Sequence, residues 1–117
     1  MARSFGTALR ERRRAAGLSQ RQLAEGAALD FSYISKIEND RLSAPAADTV
    51  VQICRVLGVP PGEMLALAGK IPSQVREGVS TSPAAQDFLQ EAQQMKLSDA
   101  EWRRMASTLR RLRERPR

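Results

Sequence analysis

"LSQRQLAEGAALDFSYISKIEND", residues 18–40, decides how the rest of the chain is read. Ser19 followed three residues later by Gln22 is a capping box, in which each side chain satisfies a backbone N–H left open at a helix start. A helix is therefore predicted from Gln20, with Leu23, Ala24 and Ala27 as its inner edge. The chain then turns through Ala28, Leu29 and Asp30, and Asp30 suits the cap of a further helix. There Ile34 and Ile37 stand three apart, as on the buried edge of a helix. The same spacing turns Phe31, Ser32, Tyr33, Ser35 and Lys36 outward. A small basic protein thus displays aromatic, hydroxyl and ammonium groups on one exposed helical surface.

Working outward, "FGTALRERRRAAG" (residues 5–17) reads as a first helix, with Phe5, Leu9 and Ala16 inward and Gly17 as its stop. "NDRLSA" after the third helix is a loop. Pro45 suits the first turn of a fourth helix, "PAADTVVQICRVLG", with Val50, Ile53, Cys54 and Leu57 inward and Gly58 closing it. "VPPGEMLALAG" supplies a short fifth helix ending at Gly69. Residues 1–69 form one all-α unit of five helices on this reading. Residues 70–82, with Pro72, Gly78, Ser80, Thr81 and Ser82, form a connector holding at most a helical turn or two around Val75. Residues 83–117 are a C-terminal helical region of two helices, the second started by a Ser98–Glu101 capping box.

The composition excludes more than it selects. Hydrophobic residues are 42% of the 117, which is too many for a disordered chain. The lone Cys54 leaves no internal disulfide, and the absence of histidine removes the commonest metal ligand and catalytic base. No Gly-rich phosphate loop and no clustered carboxylates stand in for them, so no catalytic residue, metal site or cofactor is expected. No apolar run approaches a membrane span, and the first residues lack a signal peptide's apolar core, so a cytoplasmic protein without a membrane partner is expected. The net charge of +6 attracts polyanions, nucleic acid included. It is carried almost wholly by arginine, a bias that GC-rich coding also produces.

Two short helices joined by a three- or four-residue turn have helix-turn-helix spacing, although any αα-corner shares it. Beyond spacing, residues 18–40 resemble, almost position for position, the helix-turn-helix of the xenobiotic-response-element (XRE) family, which includes the lambda-type phage repressors and Cro. The likeness continues through "SAPAADTVVQICRVLGVPPGEML" and covers about residues 5–69. It departs where the family usually has glycine and this chain has Ala28 or Asp40. An alanine at a positive-φ turn costs ~1 kcal/mol and can reshape the turn.

The resemblance implies a lambda-repressor-like DNA-binding domain whose third helix enters the major groove. Phe31, Ser32, Tyr33, Ser35 and Lys36 then become base-contact candidates: Lys36 toward guanine, Phe31 toward a thymine methyl. Alternatives stand beside this: Phe31 folds back onto the domain, Tyr33 serves a phosphate, and Ser35 lies too far round. Gln20, Arg21, Asn39 and Arg41 are implied phosphate contacts, and Arg13 and Glu38 an internal ion pair. One such head covers only one half-site, so a homodimer on double-stranded DNA is expected, acting as a transcriptional repressor. Its expected interface is Phe88, Leu89, Ala92, Met95, Trp102, Met105, Ala106, Leu109 and Leu112, unless these helices pack only on each other or on the head. The competing reading is an antitoxin-type module whose C-terminal helices bind a protein partner, a toxin or a regulatory protease. The arginine run at residues 110–117 reads as a solvated face and frayed tail, or else as a further grip on DNA.

Overall fold

The computed structural model describes residues 3–114, and every regular element in them is a helix. The end of the 110–117 arginine run lies outside the described residues. The chain divides into two compact units, the first running to Arg76 and the second starting at Glu77. In the first unit α1 spans Phe5–Ala15, α2 Gln20–Gly26, α3 Phe31–Glu38, α4 Ala47–Leu57 and α5 Gly62–Ala68. Helix α3 packs against α1 and α2, while α4 and α5 close the other side through α2 and α1. Leu9, Leu23, Ile34, Ile37, Ile53 and Met64 are fully buried between them. The inner edges expected for α2, α3 and α4 are the buried ones, whereas Ala16 lies past the end of α1 and is exposed.

These five helices end alike. The residue after each C-cap region turns left-handed, and the next N–H reaches back five residues to an open carbonyl, as in a Schellman motif. Such bonds run from Leu18 to Arg13, Leu29 to Ala24, Arg41 to Lys36, Val59 to Cys54 and Lys70 to Leu65, at 2.8–3.1 Å. Gly17, Gly58 and Gly69 take the left-handed position in three of them. Ala28 (φ 56) and Asp40 (φ 58) take it in the other two, so the family's turn is kept with Ala28 strained rather than reshaped.

Two helix starts differ from expectation. Asp30 occupies the cap position of α3, but its side chain makes no capping bond; its backbone carbonyl instead accepts from Tyr33 and Ile34. Helix α4 begins at Ala47 rather than at Pro45. The Ala44 and Pro45 carbonyls accept from Lys70 Nζ at 3.0 and 2.9 Å, which holds this stretch extended. The stretch read as a connector contains a full helix, α6 (Ser73–Ser80). Its start is held by Asp48 of α4, whose carboxylate accepts from the Ser73 hydroxyl and N–H at 2.7 and 3.0 Å. Those two bonds hold the Asp48 carboxyl below its usual range.

In the second unit α7 spans Pro83–Met95 and α8 Asp99–Glu114. Ser82 caps α7 through Ala85 N–H, and Ser98 and Glu101 exchange both capping-box bonds at the start of α8. Of the expected interface residues, Phe88, Leu89, Met95, Trp102, Met105, Leu109 and Leu112 are exposed and Ala106 is half-buried. Ala92, by contrast, is buried within the chain at 5% exposure. No helix among the described residues is long and apolar enough to cross a membrane.

Gly6 marks a close approach of α1 to α3: a Cβ there would stand 2.2 Å from the Ile37 carbonyl oxygen, which is backbone and cannot swing aside. Opposite signs are therefore expected for two exchanges followed by chemical denaturation. Ala28→Gly should stabilise the protein by about 0.5–1 kcal/mol by removing left-handed strain. Gly6→Ala should destabilise it by about 1–3 kcal/mol by pushing α1 away from α3.

Candidate nucleic-acid interface

Helix α3 has two faces. Ile34, Ile37 and Glu38 point inward and are buried, while Phe31, Ser32 and Lys36 are exposed. Tyr33 and Ser35 lie between these extremes, Tyr33 packing against the core. Phe31 stays at the surface at 40% exposure instead of folding back, with the Arg21 guanidinium 4.5 Å above its ring. The outward set is thus graded: Phe31, Ser32 and Lys36 are open, and Tyr33 and Ser35 are partly withdrawn.

What orients this helix is Glu38. Its side chain is wholly buried and receives donors from two other helices. From α1, Arg13 gives a forked pair: Nε to Oε2 at 2.6 Å and a terminal N–H to Oε1 at 2.9 Å. From α2, Gln20 Nε2 donates to Oε1 at 3.0 Å. Arg10 adds Nε to Oε1 at 3.4 Å and a bond to the Glu38 carbonyl at 3.2 Å. Burial opposes ionisation of this carboxyl, but the bonds from Arg13, Gln20 and Arg10 outweigh it and hold the group below its ordinary range. The bond to Glu38 likewise raises Arg13 above its ordinary value. Arg13 also donates to the Leu18 carbonyl at 2.9 Å, which ties the α1–α2 turn into the same cluster.

The residues implied as phosphate contacts are not equally free. Gln20 is half-buried and has one amide N–H committed to Glu38. Asn39 is engaged at both ends of its amide, donating to Ser35 O at 2.9 Å and accepting from Arg10 at 2.8 Å. Arg41 is exposed. Arg10 is the member that the sequence reading missed. It sits one turn before Arg13 on α1, and that i, i+3 spacing of two arginines was the available signal. A separate group of exposed pairs, Arg12 and Arg3 with Glu63 and Arg3 with Glu11, joins α1 to α5 and to the residues before α1. Such exposed pairs contribute little.

Among the described residues no group of His, Cys, Asp and Glu could hold a metal ion. Cys54 lies in the core, and burial pushes its thiol above the usual range, away from the reactive thiolate.

The Glu38 cluster has a measurable pH signature. A carboxylate whose folded pKa is depressed adds stability above its unfolded value, near ~4.3, and loses it as pH falls through the lower folded value. The stability advantage of the wild type over Glu38→Gln should therefore be full at neutral pH and shrink below about pH 4. At neutral pH, Glu38→Ala should cost about 3 kcal/mol in denaturant titrations, because it strands buried Arg13. An unchanged midpoint for Glu38→Ala would remove this cluster from its place in the fold.

Comparison with known proteins agrees with this geometry. A family model described as a helix-turn-helix domain matches residues 4–67, more than half of the chain. The uncharacterized HTH-type transcriptional regulator RghRB of Bacillus subtilis (strain 168) is 41% identical over 76 residues, which is 62% of this chain and 55% of its own length. An uncharacterized HTH-type transcriptional regulator of Mycobacterium tuberculosis (strain H37Rv) is 35% identical over 83 residues, 68% of this chain and 59% of its own. The chain thus spans a little over half the length of these relatives, which belong to a non-enzymatic kind of protein. A chain of the solved SinR protein–SinI protein complex is similar at a TM-score of 0.51 and 20% identity, over 95% of this chain and 99% of that one, a likeness of fold. The chain belongs to the helix-turn-helix domain family, with the lambda-repressor-like all-α fold that residues 18–40 resemble.

Proposed function

We propose that this protein is a sequence-specific DNA-binding transcriptional regulator, a repressor that binds a two-fold-symmetric operator as a dimer. The observation that carries this reading is the exposed row Phe31, Ser32 and Lys36 on a helix whose opposite face is locked by Glu38 to α1 and α2. A helix read by base edges must be held in position, because bidentate contacts depend on sub-ångström placement. Lys36 donates to guanine O6 or N7, Ser32 serves either acceptor or donor edges, and Phe31 packs on a thymine methyl. Tyr33 and Ser35, being partly withdrawn, contribute at the margin. Arg41, the second amide N–H of Gln20 and the exposed side of Arg10 supply phosphate contacts, which set register and affinity but not sequence. Asn39 acts mainly as the strut between Arg10 and the end of α3.

Residues 1–69 serve as the DNA-binding head in this reading, and the helices after residue 82 serve as the dimerisation region. Their apolar side chains surround a groove of about 390 Å³ lined by Phe88, Trp102, Met105, Ala106, Thr108, Leu109 and Leu112. A second copy of the chain presents the same stripe and covers it. A second reading places another protein in that groove, a toxin or a regulatory protease among the candidates. It is favoured by the resemblance to a chain solved as a SinR protein–SinI protein complex.

Selection of binding sites from a random duplex library tests the first reading. The expected outcome is a two-fold-symmetric motif with half-sites one helical turn, ~34 Å, apart. Lys36→Ala should lose ~1–3 kcal/mol at one base position while Arg41→Ala weakens all sequences alike. In sedimentation, the wild type should run as a dimer, and Leu109→Asp should run as a monomer with weakened operator binding. A wild-type monomer that becomes soluble only with a co-expressed partner favours the second reading. Binding without any sequence preference overturns the first.

A further inference from the structure

We infer that Arg21 is a base-reading residue and that it works as one unit with Phe31, reading a guanine and a neighbouring thymine on adjacent base pairs. The inference rests on the DNA-binding reading above and specifies part of it. Arg21 is the second residue of α2 and Phe31 the first of α3, so two helices bring them together across the turn. The guanidinium carbon lies 4.5 Å from the centroid of the Phe31 ring, within the range of a cation–π contact. Both side chains are exposed, and no hydrogen bond or ion pair within the described residues occupies Arg21.

Several consequences follow from that contact. It keeps the guanidinium beside the first residue of α3, the end that meets base edges in the DNA-binding reading. Stacking against a ring leaves the edge donors of a guanidinium open, and that planar fork matches guanine O6 and N7. Finally, the two groups lie together, the guanidinium carbon 4.5 Å from the ring centroid, so the pair spans enough of the surface to address neighbouring base pairs. Arg21 therefore faces one base pair while the free part of the Phe31 ring faces the next, where a thymine methyl gives it an apolar contact. The ring also pre-orders a long, rotamer-rich side chain, so less freedom is lost when the guanine is bound.

The test uses the full chain on the operator obtained by selection, with single-position changes in the DNA. Replacing one guanine by 7-deazaguanine, which lacks N7, should weaken wild-type binding roughly five- to hundredfold and leave Arg21→Ala nearly indifferent. Arg21→Lys keeps the charge but should lose most of that discrimination, because an ammonium cannot form the planar fork. Replacing the adjacent thymine by uracil, which lacks the methyl, should weaken the wild type and Arg21→Ala but not Phe31→Ala. Phe31→Ala should also blunt the guanine preference, because the guanidinium loses its support. If Arg21→Ala weakens operator and random DNA by the same factor, Arg21 is a phosphate contact; the pair is then refuted while the DNA-binding reading stands. A wild-type chain with no sequence preference overturns both.

Discussion

The first unit depends on one buried carboxylate. Ile34 and Ile37 drive α3 into the core, but apolar burial is non-directional and leaves the helix free to slide or rotate by small amounts. Glu38 removes that freedom, because its two oxygens are met by a forked Arg13 from α1 and by Gln20 from α2. A buried charge is tolerated only with full hydrogen bonding, so any shift of α3 that breaks these bonds carries a steep penalty. The close approach at Gly6 belongs to the same device. Without a side chain there, α1 comes near enough to α3 for its arginines to reach Glu38.

The cluster also has a charge consequence. Two guanidiniums meet one carboxylate, so Arg10 adds positive charge beside the neutral Arg13–Glu38 pair. Arg10 extends that charge to Asn39, whose amide it holds against the last turn of the helix. An anchor that also leaves a positive rim suits a surface meeting phosphates, where fixed charge contributes without further ordering. Arginine suits both tasks here better than lysine, because its planar fork can share donors between carboxylate, carbonyl and amide oxygens.

Features encoded locally were legible in the sequence. The two Ser-x-x-acid or amide boxes, at Ser19 and Ser98, act between neighbours and mark helix starts without tertiary help. The glycines at 17, 58 and 69 mark stops for the same reason. The misses at Pro45 and in the connector are long-range. Pro45 fits a helix start, but Lys70, 25 residues on, holds its carbonyl outside the helix. The helix within the connector takes its cap from Asp48, equally distant. Asp30 lies where a cap should be, and nothing local explains why its side chain stays unused. At the candidate interface, the outward pattern of α3 follows from periodicity alone. That Arg21 rests on Phe31, and Arg10 on Glu38 and Asn39, follows only once three helices are packed.

The C-terminal unit poses a different physical problem. Among its described residues Ala92 is the one buried apolar side chain, while Phe88, Trp102, Leu109 and Leu112 stand in water. A unit near 40 residues is at the size where a small core commonly needs help from a metal, a disulfide or association. Cys54 is the one cysteine of the chain and lies buried in the other unit, so a disulfide is not open to it. Self-association is the remedy that the proposed dimer supplies, and its symmetry matters. An apolar stripe that pairs with itself forms an isologous contact, which closes at two copies. Two copies related by a two-fold axis present two reading helices related by the same axis. In the proposed dimer, the symmetry that covers the stripe would thus be the symmetry that a paired half-site requires.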